Sequence, residues 1–139
     1  MIRKVGASIP RAVLGLARWH ERPDGRGFDA MLGGVALGWL LVLILNPSVM
    51  TVSAYRVLSL LPDPAWRTVL TLMAVLHTVG AIRPDMRGLR MVNFLLAGWL
   101  WTSVGVGILA AEFTTGVPVY LVLGYRATLL GVSMADAEP

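Results

Sequence analysis

The chain has 139 residues, a formal net charge of +4 and no cysteine, which excludes structural disulfides, thiolate nucleophiles and cysteine-ligated metal sites. Charged residues make up only 14% of it, against roughly 25% in soluble domains, and the mean hydropathy is +0.70. This composition predicts one integral membrane unit without a separate soluble module. The basic residues cluster beside apolar runs, which is typical of cytoplasmic membrane flanks and argues against nucleic acid as a partner.

Residues 1–29 form a basic amino-terminal segment without the clean apolar core and small-residue cleavage site of a removable signal peptide. Within it, Arg11, Arg18 and Arg22 fall on one face of a helix over 10–22, with apolar side chains on the remainder. This pattern predicts an amphipathic interfacial helix on an anionic inner leaflet. A cytoplasmic helix packed against its own bundle explains the pattern equally well.

Four apolar runs follow, at about 30–46, 65–82, 91–111 and 117–134, and only the short tail 136–139 lies beyond them. Each run approaches the length needed to cross a bilayer, although the second and fourth are marginal. The chain is therefore predicted to be all-α, an integral membrane four-helix bundle over residues 30–135. Residues 48–61 carry enough apolar side chains to predict a short helix on the outer surface.

The distribution of lysine and arginine predicts the orientation. Six basic residues precede the first span and three lie in the loop 83–90, whereas the opposite side has only Arg56 and Arg67. Because cytoplasmic flanks are enriched in basic residues, both termini are expected in the cytoplasm.

Arg126 lies inside the fourth span with no acidic residue nearby. If the helix begins near Val117, Arg126 is about 13 Å into the membrane, where ionisable residues are costly and often functional. Alternatively, the helix is short and Arg126 extends to the cytoplasmic surface as an anchor.

Among the other polar residues of the predicted spans, four are candidate functional residues: His77, Asn93, Thr102 and Ser103. His77 has no second histidine or carboxylate at ligand spacing, so no metal site is predicted. A hydrogen bond from His77 to Asn93 or Thr102 of another span is the expected role. Paired intramembrane charges are not expected.

Small residues recur at intervals of four along the spans: Gly34 and Gly38, Gly98 and Thr102, Ser103 and Gly107, and Gly124 and Thr128. This spacing allows close approach of helices. Packing within the bundle and self-association are both consistent with it.

No phosphate loop, nucleophile elbow, dinucleotide fingerprint or paired acid–base set is present in the sequence. We therefore expect no enzymatic activity, no catalytic residue and no cofactor.

The segments 18–25 (RWHERPDG) and 28–34 (FDAMLGG), followed by the first span, resemble the start of small four-span membrane proteins encoded by tailed bacteriophages and prophages. The order of span, outer loop, span, basic turn and two further spans is similar too. The resemblance implies a phage or prophage setting and assigns no site residue. The acidic tail, Asp136 to Pro139, departs from the basic carboxy terminus of many holins.

Three functions are compatible with these features. The first is a homo-oligomeric protein of the host inner membrane with a holin-like permeabilising role or a role in genome delivery or exclusion, its polar span residues lining the opening. The second is an accessory subunit of a larger membrane complex. The third is a small channel or transporter, which the lack of inverted repeats and of paired intramembrane charges disfavours.

Overall fold

The computed structural model describes residues 25–136, except for the side chain of Val57. Four α-helices run over Arg26–Leu45 (α1), Asp63–Ile82 (α2), Arg87–Ala111 (α3) and Gly116–Asp136 (α4). All four are long and apolar enough to cross a membrane, and the described range contains no β-strand. The predicted all-α membrane bundle is therefore confirmed, whereas the predicted interfacial helix over 10–22 lies outside the described residues.

The ends of the helices follow local chain chemistry. Gly25, in the left-handed region at φ 70°, precedes α1, and the Asn46-Pro47 pair ends it. Helix α2 begins at Asp63 with proline in its first turn, where a missing backbone N–H costs little. Helix α1 thus starts four residues before the predicted boundary at residue 30, which places Asp29 in its first turn rather than in an interfacial segment.

The chain between α1 and α2 forms two 3-10 helices, Pro47–Thr51 and Ser53–Leu60, where a short surface helix was predicted. Leu58, within the second of these helices, is buried. The Trp66 indole Nε1–H of α2 donates to the Leu58 carbonyl at 2.7 Å. This bond fixes the segment across the end of the bundle opposite Gly25.

The four helices pair as two hairpins, α1–α2 and α3–α4, because contacts are far denser within each pair than between α2 and α3. Small residues bring α3 and α4 together: Thr128 packs against Gly98, and Thr102 packs against Gly124. Large side chains fill the space between the hairpins, including Phe28, Leu32, Leu43, Phe94, Trp101 and Ile108. The two hairpins therefore pack against each other mainly through apolar side chains.

Candidate functional site

Three polar side chains from three helices meet inside the bundle, and we call them the ionic cluster: Asp29 of α1, His77 of α2 and Arg90 of α3. Asp29 Oδ1 lies 2.9 Å from His77 Nδ1, and Arg90 Nε donates to Asp29 Oδ2 at 2.8 Å. Asp29 and His77 are fully buried, and Arg90 is 4% exposed. The Asp29 carboxylate therefore links α1 to α2 within one hairpin, and links that hairpin to α3 of the other.

Burial makes this arrangement sensitive to the loss of any partner. A buried charge is costly unless it is paired and hydrogen-bonded, and arginine stays protonated in proteins. The two carboxylate oxygens of Asp29 are each used once, by donors on opposite hairpins. Removing Asp29 would leave the Arg90 guanidinium without this carboxylate inside the bundle.

A glycine and an aromatic ring enclose the ionic cluster. A Cβ at Gly80 would lie 3.0 to 3.2 Å from the three carboxyl atoms of Asp29, so any side chain there would push the carboxylate away by a few tenths of an ångström. The Phe94 ring contacts His77 with centroids 5.7 Å apart, and the Arg90 guanidinium lies 5.8 Å from the same ring. Close packing by Gly80 and Phe94 keeps the three polar side chains in contact with one another.

Two hydrogen-bond acceptors beside the ionic cluster have no partner among residues 25–136. In the neutral ring, the hydrogen on His77 Nδ1 donates to Asp29, which makes Nε2 an acceptor; this atom is buried and unpartnered. Asn93 donates from Nδ2 to the Leu76 carbonyl at 3.1 Å, while its Oδ1 is likewise unpartnered. The buried layer around His77 therefore contains two hydrogen-bond acceptors that no described side chain uses.

The predicted hydrogen bond from His77 to another helix is present, but its partner is Asp29 of α1 and not Asn93 or Thr102. Asp29 occupies Nδ1, and Asn93 instead bonds to the backbone of α2. The expectation of no paired intramembrane charges was also wrong, because Asp29 and Arg90 form such a pair. Both errors arose because Asp29 and Arg90 had been assigned to flanking segments, whereas α1 begins at Arg26 and α3 at Arg87.

Arg126 does not join the ionic cluster. It is exposed on α4, and its guanidinium carbon lies 5.1 Å from the Phe28 ring centroid, a cation–π contact with α1. The Phe28 ring also stacks on the Phe94 ring of α3, with centroids 6.0 Å apart. Anchoring and a functional role for Arg126 both stay predictions.

The predicted small and hydroxyl residues divide between the inside and the outside of the bundle. Gly98, Gly107 and Gly124 are buried in the α3–α4 hairpin. Gly34 and Gly38 face outward, and a Cβ at either would meet no atom within 4 Å. Thr102 packs against Gly124, and Ser103 is exposed beside an apolar groove. Arg11, Arg18 and Arg22 lie outside the described residues.

A second ionic pair lies in the loop between α2 and α3. Arg83 donates from Nε and Nη2 to the two carboxylate oxygens of Asp85, each at 3.2 Å. The hydrogen bond from Arg83 lowers the pKa of Asp85 below its ordinary value, and the same bond raises the pKa of Arg83. Both side chains are well exposed, so water screens this pair far more than the ionic cluster.

Sequence reasoning missed Asp29, Gly80 and Arg90. The sequence did carry a signal for their contact. Asp29, His77 and Arg90 each lie within about two helical turns of the span end that faces the basic segments, so all three lie at a similar depth in the bundle. Residues 25–136 contain no group of three or more side chains able to hold a metal ion.

Searches against protein-family models, curated protein sequences and solved structures give no match to this chain. The fold by itself defines the class: a multi-pass α-helical membrane protein with one ion pair, Asp29–Arg90, buried inside the described bundle.

Proposed function

We propose that the protein is a non-enzymatic component of a bacterial inner membrane, encoded by a phage or prophage, that works by self-assembly in the bilayer. The observation that carries this proposal is the outer face of α1. Gly34 and Gly38 lie one turn apart on that face with open space over both, flanked by exposed Leu37 and Leu41. Small residues at this spacing allow a second helix to approach closely.

The burial of the polar span residues is consistent with a protein that has a closed resting state and a separate active state. His77 and Asn93 are buried between the hairpins, so a closed bundle offers few polar groups to line an opening. A holin-like lesion would therefore require the two hairpins to separate and turn these groups toward water. Genome delivery or exclusion, as alternative roles in the same setting, would use the closed bundle.

An accessory subunit of a larger membrane complex is the second candidate, favoured by an apolar groove on the surface of the bundle. Exposed Trp99 and Leu60 border this groove between α2, α3 and the 3-10 segment, with Trp66 at its base and an open volume of about 830 Å³. A helix of a foreign subunit would bury this apolar surface.

The basic end of the bundle is proposed to face the cytoplasm. Helices α2 and α3 are joined there by a loop that carries Arg83, and α3 begins with Arg87. At the other end, Arg67 is already paired with Asp63 at the start of α2. This asymmetry agrees with the excess of basic residues on cytoplasmic flanks.

The test is expression in a bacterium with membrane potential and native oligomer mass measured together. Gly34→Leu and Gly38→Leu add bulk to the proposed contact face, and Ala110→Leu adds the same side chain at an exposed position of α3. Self-assembly through α1 predicts smaller particles and slower depolarisation for the glycine variants alone. A harmless wild-type monomer would overturn the proposal, and stoichiometric co-purification with a host membrane protein would favour the accessory role.

A further inference from the structure

We propose that the cleft between α1 and α4 binds an anionic phospholipid of the leaflet at the basic end. The lipid phosphate lies beside the Arg126 guanidinium, and one acyl chain lies along α1. This inference goes beyond the proposed function and does not depend on self-assembly, because it concerns a cleft within one chain. It starts from the exposure of an arginine in the middle of a membrane-spanning helix.

Arg126 lies ten residues from either end of α4, so its Cα is about 15 Å from both ends. Within residues 25–136, the ion pairs use other arginines, and the contact of the Arg126 guanidinium is with the Phe28 ring, at 5.1 Å. A cation that faces hydrocarbon is costly unless water or an anion meets it. The exposed guanidinium therefore requires a polar partner at the surface of the bundle.

Two contacts across the cleft fix the depth of this guanidinium. The Trp39 indole Nε1–H donates to the Tyr120 hydroxyl at 2.9 Å, and Arg126 lies over Phe28. These contacts are about 16 Å apart along α1 but only about 9 Å apart along α4. The Arg126 side chain spans the difference of about 7 Å, so it extends toward the basic end. Since Phe28 lies in the first turn of α1, the cation is at the depth of the lipid head groups.

The cleft beside these contacts is open and largely apolar. Helices α1 and α4 each pack far more densely against the partner in their own hairpin than against each other. Val35, Gly38 and Val42 of α1 line an open volume of about 600 Å³, and Gly38 also borders the outer face of α1. The 16 Å between the two contacts is close to half of the ~30 Å hydrocarbon core. An acyl chain of a single leaflet therefore matches the length of the cleft.

Charge identifies the occupant as a phospholipid rather than a helix of a second copy. A helix could cover the apolar wall, but it would also have to bring a carboxylate to Arg126. Among the described residues, the carboxylate at this depth is Asp29, which is buried and paired with Arg90. A phospholipid carries its phosphate at the end of its apolar chains, and arginine donates well to phosphate oxygens.

The balance of charge at the basic end favours a lipid with a net negative head group. In the described part of the chain, five arginines lie at this end against three aspartates: Arg26, Arg83, Arg87, Arg90 and Arg126, and Asp29, Asp85 and Asp136. Basic pockets between spans attract anionic lipids. Phosphatidylglycerol is therefore expected to bind more tightly than phosphatidylethanolamine, whose own ammonium group neutralises its phosphate.

The first test is a titration of the delipidated full chain, in dodecylmaltoside, with dioleoyl-phosphatidylglycerol. Native mass spectrometry counts the bound lipid. Arg126→Gln should weaken the tightest site about tenfold, because it removes a charge-assisted hydrogen bond. Arg56→Gln removes an exposed arginine of the second 3-10 helix and should bind like wild type. Equal affinity of wild type and Arg126→Gln, or equal losses in the two variants, would overturn the proposal.

A second variant tests the acyl chain, and it keeps the proposal testable if Arg126→Gln does not fold. Val35→Phe adds bulk inside the cleft and should lower the affinity for phosphatidylglycerol several-fold with Arg126 intact. Val75→Phe makes the same change at an exposed position of α2 and should bind like wild type. Unchanged binding by Val35→Phe would place the chain elsewhere and contradict the cleft site.

The same titration separates a phospholipid from the other possible occupants. Glycerol 3-phosphate has the phosphate without the acyl chains and should not displace the lipid; effective displacement would show that the site takes free phosphate. A lipid-free dimer that Arg126→Gln converts to a monomer would show that a second copy covers the cleft. Either result would overturn the proposal.

Discussion

The carboxylate of Asp29 lies directly against the backbone of Gly80, so that a Cβ at Gly80 would be 3.0 Å from Oδ1 and 3.2 Å from Oδ2. Neither Asp29 nor Gly80 stands out in the sequence, where 51 positions separate them. The absence of a side chain on α2 is what allows a charged group of α1 to reach His77. The first prediction tests this relationship.

Gly80→Ala should destabilise the bundle by about 1–3 kcal/mol, because the new methyl group displaces the Asp29 carboxylate from two partners. The measurement is the free energy of unfolding by SDS titration in mixed micelles. Gly88→Ala in α3 is the matched control, since its Cβ meets no atom within 4 Å and it lies outside the proposed contact face of α1. It should be neutral or slightly stabilising, because alanine favours helix over glycine by up to about 1 kcal/mol. Equal effects of the two substitutions would contradict the tight contact.

Asp29→Ala should cost about 3–5 kcal/mol, because it removes a partner of the buried Arg90 guanidinium. The double variant Asp29→Ala/Arg90→Met removes the charge as well and should recover part of this loss. Unfolding free energies of wild type, both single variants and the double variant form a thermodynamic cycle. Purely additive costs would show that the two side chains are not coupled.

Gly98→Ala and Gly124→Ala should each loosen the α3–α4 hairpin by about 1–3 kcal/mol. The added methyl groups would collide with Thr128 and Thr102, and the facing backbone nitrogens would be only 3.0 and 2.8 Å away. Resistance to SDS unfolding measures the effect. Gly88→Ala, whose added Cβ meets no atom within 4 Å, is the control and should unfold like wild type.

Arg83→Gln should raise the pKa of Asp85 toward its ordinary value, because the hydrogen bond from Arg83 is the largest cause of the lowering. The contribution of this pair to stability is present above the unfolded pKa of Asp85 and is lost as the pH falls through its lowered folded pKa. Side-chain carboxyl ¹³C shifts, followed across the acid range, report the titration. Identical titration of Asp85 in wild type and variant would exclude the bond in solution.

Single cysteines test the proposed orientation, since the chain has none of its own. Ser59→Cys lies in the 3-10 segment and Asp85→Cys lies in the loop at the basic end. A membrane-impermeant maleimide should label Ser59→Cys in intact spheroplasts, and Asp85→Cys only after permeabilisation. The reverse pattern would place the basic end outside.

The sequence by itself determined the class of the protein and the approximate positions of the helices. Apolar runs of span length must lie in lipid, and a backbone in lipid must satisfy its own hydrogen bonds, so helices follow from hydropathy alone. Even where boundaries shifted, as with the start of α1 at Arg26, the number of spans agreed with the sequence pattern.

The tertiary structure decided which polar groups meet. Asp29, His77 and Arg90 come from three helices, and no periodicity within one helix indicates their contacts with one another. The same holds for glycine: spacing alone could not separate Gly98, which packs against Thr128, from Gly34, which faces open space. Hydropathy is a property of each segment, whereas ion pairing and close packing depend on the rotation and offset of one helix against another.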